Sequence, residues 1–114
     1  MLYARNRLAK RKDIERVIKR GRSFFVPDLG LRIIRNDMKE VSRFTVVTSI
    51  KLSKKAVERN KLKRRLREII RKEILPTIQP GFDGLINTRK GLLSLTFDAL
   101  REKTIQLFKK ARLI

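Results

Sequence analysis

The hydrophobic residues of three segments recur every three or four positions, the spacing that places side chains on one face of an α-helix. The segments are residues 11–20, 51–72 and 96–111. The side chains expected to face a core are, in that order, Ile14, Val17 and Ile18; Ala56, Val57, Leu62, Leu66, Ile69 and Ile70; and Phe97, Leu100, Ile105 and Phe108. Gly21 is a stop signal for the first helix, and Ser53 and Thr96 are N-cap candidates for the other two. The pattern predicts three amphipathic helices.

Strand signals lie between these helices. Residues 29–35 carry apolar side chains at odd positions, while 43–50 and 82–88 are short runs rich in β-branched and apolar residues. Asn36, Asp37 and residues 38–40 supply turn chemistry, so the first two strands are expected to be the arms of a hairpin. Phe24, Phe25 and Val26 form an apolar cluster before Pro27. The order strand, helix, strand across residues 43–88 predicts a crossover connection, and the whole chain, 1–114, is expected to be one domain.

Positive charge is concentrated on the central helix. Eleven of the twenty-two residues from 51 to 72 are Lys or Arg, and only Glu58 and Glu68 are acidic. Opposite the apolar stripe, one continuous polar face carries Arg59, Asn60, Lys63, Arg64, Arg67 and Arg71. A solvated face usually mixes signs to gain i,i+4 pairs, and this one does not. Lys54 and Lys55 also oppose the helix dipole, which indicates a site completed by an anion such as phosphate.

Composition points to the same class of partner. Lys and Arg number 31 against 11 Asp and Glu, so the net charge is +20 on 114 residues, and nucleic acid is the default partner of such a chain. A membrane surface is the rival polyanion, but no apolar segment approaches the roughly 18 residues of a spanning helix. Without a signal-peptide pattern the chain is expected to be cytoplasmic.

The residues offer no catalytic or metal-binding constellation. The chain has neither His nor Cys, which excludes disulfides and thiolate metal sites. Its carboxylates are scattered along the sequence and its five glycines are isolated, so neither a carboxylate–metal site nor a phosphate-cradling loop is predicted. Taken alone, the chain is predicted to be a binding protein without a catalytic residue, a metal or a cofactor.

Residues 54–68 carry a more specific signal. Their sequence, KKAVERNKLKRRLRE, is similar to the signature of the protein subunit of bacterial ribonuclease P, Ala-Val-x-Arg-Asn-x-x-Lys-Arg-x-x-Arg-Glu, and fills each of its fixed positions. Arg7-Leu8, Gly21 and residues 82–90 extend the resemblance over nearly the whole chain. It implies an α+β domain in which a mixed four-stranded sheet packs with three helices. The signature helix would lie in a left-handed βαβ crossover, a ribosomal-protein S5 domain 2-like fold, although crossovers are usually right-handed.

The resemblance also implies a function. The chain would bind a large catalytic RNA and the 5′ leader of precursor tRNA, and assist Mg²⁺-dependent removal of the leader by the RNA, as a monomer in a one-to-one complex. The implied contacts to the catalytic RNA are Arg59, Asn60, Lys63, Arg64 and Arg67, with N-terminal contacts from Arg5 and Arg7. Lys51, Lys54 and Lys55 would extend this surface toward the substrate.

Three positions depart from the family's pattern. The leader cleft, between the first helix and the sheet, commonly presents aromatic side chains, and the corresponding residues here are Ile14 and Ile18. They either pack against the leader or belong to the core, and the core interpretation is slightly favoured. Lys61 replaces an arginine and so loses bidentate geometry. A structural RNA-binding protein of the ribosome and a DNA-compacting protein are the alternatives that charge and size leave open.

Overall fold

The computed structural model describes residues 2–38 and 41–114. Its helices and strands are α1 (Arg11–Arg20), β1 (Arg22–Val26), β2 (Leu29–Arg35), β3 (Arg43–Val47), α2 (Ala56–Ile69), β4 (Phe82–Thr88) and α3 (Phe97–Lys110). A π-helical turn, Ile70–Ile74, continues α2, and short 3₁₀ turns occupy Ala4–Asn6 and Lys90–Ser94. The three predicted helices are therefore confirmed. The last two residues of the predicted turn at 36–40 lie outside the described residues, as does the first residue of the chain.

The four strands form one mixed sheet in the order β1-β2-β4-β3. β2 pairs antiparallel with both β1 and β4, whereas β3 runs parallel to β4. The helix α2 connects β3 to the parallel strand β4, which confirms the predicted crossover and the mixed sheet. The left-handed sense of this crossover stays a prediction.

The predicted hairpin between residues 29–35 and 43–50 is wrong. β2 instead pairs with β1, the strand formed by the apolar cluster before Pro27. Only Pro27 and Asp28 lie between the paired residues Val26 and Leu29. The chain can turn this tightly because proline presets a negative φ and Asp28 adopts a φ of 65°. Closing this two-residue loop costs less entropy than closing a hairpin across residues 36–42 would. In addition, the other edge of β2 is occupied by β4.

The main core lies between one face of the sheet and the helices α2 and α3. It buries the predicted stripe of the central helix, Leu62, Leu66, Ile69 and Ile70, together with Leu100 and Phe108 of α3. A smaller cluster of Leu8, Val17 and Leu85 lies on the opposite face, under α1. The two faces thus carry different helices, and the sheet separates α1 from α2.

Four of the predicted inward residues are not in a core. Ala56 and Phe97 are exposed, and Val57 keeps 78% of its side chain accessible, because the first turns of α2 and α3 extend beyond the sheet that they cover. Ile18 is 45% exposed, whereas Ile14 packs against the smaller cluster. The helical period identified the correct faces, but it did not show how far along each helix the partner layer extends.

Candidate RNA interface

The loop before α2 does not form the N-cap that the sequence predicts. The helix begins at Ala56 with Lys55 as its N-cap residue and no side-chain cap. The Ser53 hydroxyl accepts a hydrogen bond from the Lys55 N–H (3.1 Å) and donates one to Glu58 (2.6 Å). A serine hydroxyl that accepts a hydrogen bond from the N–H two residues later forms a local turn. For this reason the helix starts later than predicted. Lys51, Lys54 and Lys55 are exposed in this connection.

The predicted polar face of α2 is present and points away from the core. Asn60 and Arg64 are exposed, while Lys63 and Arg67 are half-buried beside them. Arg59 is half-buried as well, and its guanidinium donates to the Ser53 carbonyl oxygen at 2.7 Å. Arg59 therefore also fixes the loop that carries the three lysines of the connection.

The N-terminal segment brings a second set of cations to this face. Arg7 forms a parallel bridge with Phe44, and the Leu8 N–H donates to the Phe44 carbonyl oxygen at 2.9 Å, so the segment runs along the open edge of β3. Leu2 and Leu8 are buried and anchor this segment to the rest of the domain. Burial, and then the positive charge of Arg7, lower the pKa of Arg67. The structure thus places the charge of Arg7 near Arg67 of α2, although the two residues are far apart in the sequence.

Arg71 differs from the other cations of the predicted line. It lies in the π-helical turn and forms an ion pair with Glu68. Its hydrogen bond to Glu68 lowers the pKa of that carboxyl to about 2, while Glu68 and then Tyr3 raise the pKa of Arg71. Since the charge of Arg71 is already neutralised by a carboxylate, Arg71 is a weaker candidate for binding an anion than Arg64 or Arg67.

A second candidate surface is the part of the sheet that α1 leaves uncovered. Every second residue of β2 faces the side of the sheet that carries α1: Gly30, Arg32 and Ile34. In the described part of the chain, Arg32 Nε is buried without a hydrogen-bond partner. Phe25 of β1 is 58% exposed, and its ring lies over Gly30. Neither Phe25 nor Arg32 was predicted as a site residue from the sequence, although a charged residue in the middle of an apolar strand was a signal for Arg32.

An ion-pair network connects the sheet to α1. Asp83 is 1% exposed and accepts two hydrogen bonds from Arg43, at 2.9 and 2.7 Å, and one from Asn36 at 2.9 Å. Arg43 also contacts Asp13 of α1 at 3.2 Å. The hydrogen bond to Asp83 raises the pKa of Arg43. These contacts join β3, β4 and α1, so the Asp83 carboxylate has a structural role.

Neither a metal cluster nor a spanning helix is found in the described ranges. No three His, Cys, Asp or Glu side chains of residues 2–38 and 41–114 are grouped so that they could hold a metal ion. Across the same residues, no helix has the length and apolar character needed to cross a membrane.

Comparisons with known proteins agree with this geometry. A family model for ribonuclease P matches residues 2–112. The ribonuclease P protein component of Microcystis aeruginosa is 36% identical over 96% of this chain and 92% of its own length, and that of Synechocystis is 32% identical over 95% and 86%.

Solved structures give the same result. The ribonuclease P protein of Thermotoga maritima superposes with a TM-score of 0.81 at 36% identity, covering 92% of this chain and 96% of that one. A mutant ribonuclease P protein of Staphylococcus aureus reaches a TM-score of 0.87 at 25% identity over 96% and 90%. These matches remove the ribosomal and DNA-compacting alternatives. The chain belongs to the ribonuclease P protein family, whose members are the protein components of that ribonucleoprotein endonuclease.

Proposed function

We propose that the polar face of α2 and the N-terminal segment form one surface that binds the catalytic RNA of ribonuclease P. Association with that RNA follows from membership of the family. The residues assigned to the surface are Arg59, Asn60, Lys63, Arg64, Arg67, Arg5 and Arg7. Lys51, Lys54 and Lys55 continue it beyond the start of α2, toward the bound precursor tRNA.

The observation that carries this assignment is the pair formed by Arg7 and Arg67. Partial burial lowers the pKa of Arg67, and the positive charge of Arg7, from a distant part of the chain, lowers it further. Neither has a carboxylate partner among the ion pairs of the described residues. Such an arrangement costs free energy in the isolated chain, and a phosphate shared by both groups offsets that cost.

We assign the 5′ leader of precursor tRNA to the uncovered face of the sheet beside α1. Ile18 is exposed there, whereas Ile14 is packed in the smaller cluster, so only Ile18 is available as an apolar wall. Phe25 supplies an exposed ring on which a base can stack, a contact worth about 1–3 kcal/mol per base. The buried Arg32 Nε has no hydrogen-bond partner among the described residues, and this donor suits a phosphate or a base edge.

The remaining parts of the proposal concern chemistry and assembly. Mg²⁺ would be held by the ribonucleoprotein rather than by this chain alone, because the catalytic RNA supplies the phosphate oxygens that this hard cation prefers. The chain would act as one copy per catalytic RNA, in the cytoplasm, and would contribute binding and positioning while the RNA carries out the cleavage.

The proposal is tested by cleavage of precursor tRNA in Mg²⁺ with and without the catalytic RNA. Because the chain has no His or Cys and its described residues include no grouped carboxylates, we expect nuclease-free protein alone to cut nothing, and the complete particle to remove the leader. Correct removal of the leader by the protein alone would overturn the assignment.

The leader site is tested by Arg32→Ala in the assembled particle. Loss of a hydrogen bond from a charged donor costs about 1.5–3 kcal/mol, so we expect precursor tRNA to bind roughly tenfold to a hundredfold more weakly and mature tRNA to bind unchanged. Arg11→Ala, which removes an exposed arginine of α1, is the matched control. Equal losses for precursor and mature tRNA would place Arg32 outside the leader site.

A further inference from the structure

A groove lined by cations lies at the edge of the sheet farthest from α2. α2 packs over β3, which is the last strand of the sheet, whereas the groove lies beside β1 and β2 at the other edge. Its volume is about 580 Å³. Five exposed cations line it, and they come from the end of α1, from β1 and β2, and from the end of α3: Arg20, Arg22, Arg35, Lys110 and Arg112.

The floor of the groove is apolar. Phe24, Ile33, Phe82 and Leu113 contribute to its lining. The guanidinium of Arg22 lies over the Phe24 ring at 5.7 Å from its centre, and that of Arg35 lies over the Phe82 ring at 5.0 Å. Stacking of this kind holds each guanidinium at a defined place on the rim. The groove therefore combines fixed cations with an apolar base.

Carboxylates are absent from this groove within the described ranges. No Asp or Glu lines it, and the ion pairs of the described residues all involve other cations, such as Arg43, Arg71 and Arg101. Lys110 donates to a backbone oxygen, that of Phe25, at 2.7 Å. Among the described residues, five like charges therefore lie together around one concave surface without a carboxylate in its lining.

Arg112 occupies a position where glycine is the usual residue. The Arg112 N–H donates to the Lys109 carbonyl oxygen and the Leu113 N–H to that of Phe108, which is the Schellman pattern that ends a helix. Arg112 takes a φ of 59° there, a conformation that disfavours residues with a Cβ. The backbone at Arg112 is therefore strained, and its side chain adds a guanidinium to the lining of the groove.

We propose that this groove is a second binding surface for single-stranded RNA, separate from the α2 face. The phosphates would lie against the cationic rim and the ribose and base faces against the apolar floor. Four of the five cations are arginines, whose planar fork matches phosphate oxygens better than a lysine ammonium does. An acidic peptide would use the same charges but would leave the apolar floor without a matching partner.

The proposal is tested with a labelled RNA of eight adenosines. The background chain carries Lys63→Gln, Arg64→Gln and Arg67→Gln, so that binding by the α2 face is reduced. In this background we expect amide NMR shifts at residues 22–24, 33–35 and 110–113. Adding Arg22→Gln and Arg35→Gln should abolish those shifts and reduce the salt slope of log affinity by about 1.4, since each phosphate contact on a single strand contributes about 0.7.

The matched control adds Lys12→Gln and Lys109→Gln, which remove two exposed cations outside the groove; these are expected to leave the groove shifts in place. Absence of shifts at the groove, or an unchanged slope in the Arg22 and Arg35 variant, would overturn the proposal. A peptide of eight glutamates that binds the groove as tightly as the RNA would also overturn it. None of these three results depends on cleavage by the complete particle, so this test is independent of the α2 assignment.

Arg112→Gly separates binding from stability. Glycine relieves the strain at positive φ, so the melting temperature is not expected to fall, whereas RNA binding at the groove is expected to weaken. Unchanged groove binding in this variant would remove Arg112 from the site, and a lower melting temperature would contradict the argument from backbone strain.

Discussion

Replacing Lys63, Arg64 and Arg67 of α2 together by glutamine is expected to weaken binding to the catalytic RNA by roughly a hundredfold at 0.1 M salt. Each phosphate contact contributes about 0.7 to 0.9 to the slope of log affinity against log salt concentration. Three lost contacts therefore lower the slope by roughly 2 to 3 units, which corresponds to two decades or more of affinity at a tenth of molar salt. The measurement is a series of binding titrations at several salt concentrations.

Two comparisons sharpen this experiment. Lys12→Gln, Lys103→Gln and Lys109→Gln remove the same charge from α1 and α3, and we expect a much smaller change in slope. Asn60→Ala removes hydrogen bonds but no charge, so it should weaken binding while the slope stays nearly constant. If the α2 variant and the lysine control lose affinity alike, net charge rather than the α2 face determines binding.

Replacing Asp83 by alanine is expected to destabilise the fold by about 3–5 kcal/mol, the usual cost of removing one partner of a buried ion pair. Asp83 is the most buried carboxylate of the Arg43 network. Its loss leaves the Arg43 guanidinium, only 18% exposed, with Asp13 as its sole carboxylate partner among the described residues. The loss is a large share of the roughly 5–15 kcal/mol that stabilises a typical domain. Urea unfolding of both chains measures it.

Asp98→Ala is the matched control, because Asp98 is 85% exposed and lies in the first turn of α3. A charge near a helix N-terminus is worth about 0.3–1 kcal/mol, so this variant should lose far less stability. A second comparison replaces both partners, as Asp83→Val with Arg43→Leu, and is expected to recover part of the loss. Equal stability of the Asp83→Ala and Asp98→Ala variants would show that the Arg43 network contributes little.

The sequence by itself determined the helices, the buried stripe of α2 and the family. Leu62, Leu66 and Ile69 are buried where the helical period places them, because that period is a local property of a regular backbone. The polar face and the signature follow from the same register. For this reason the exposed positions of Asn60 and Arg64 could also be predicted before the fold was known.

Only the tertiary structure decided which strands pair and which charges meet. The β1–β2 hairpin replaced the predicted one because strand pairing depends on which edges are free, and an alternating pattern does not specify its partner. The electrostatic effect of Arg7 on Arg67, the burial of Asp83 against Arg43, and the groove at β1 each involve residues that are far apart in sequence. Such contacts arise when the layers pack, so no local spacing could have predicted them.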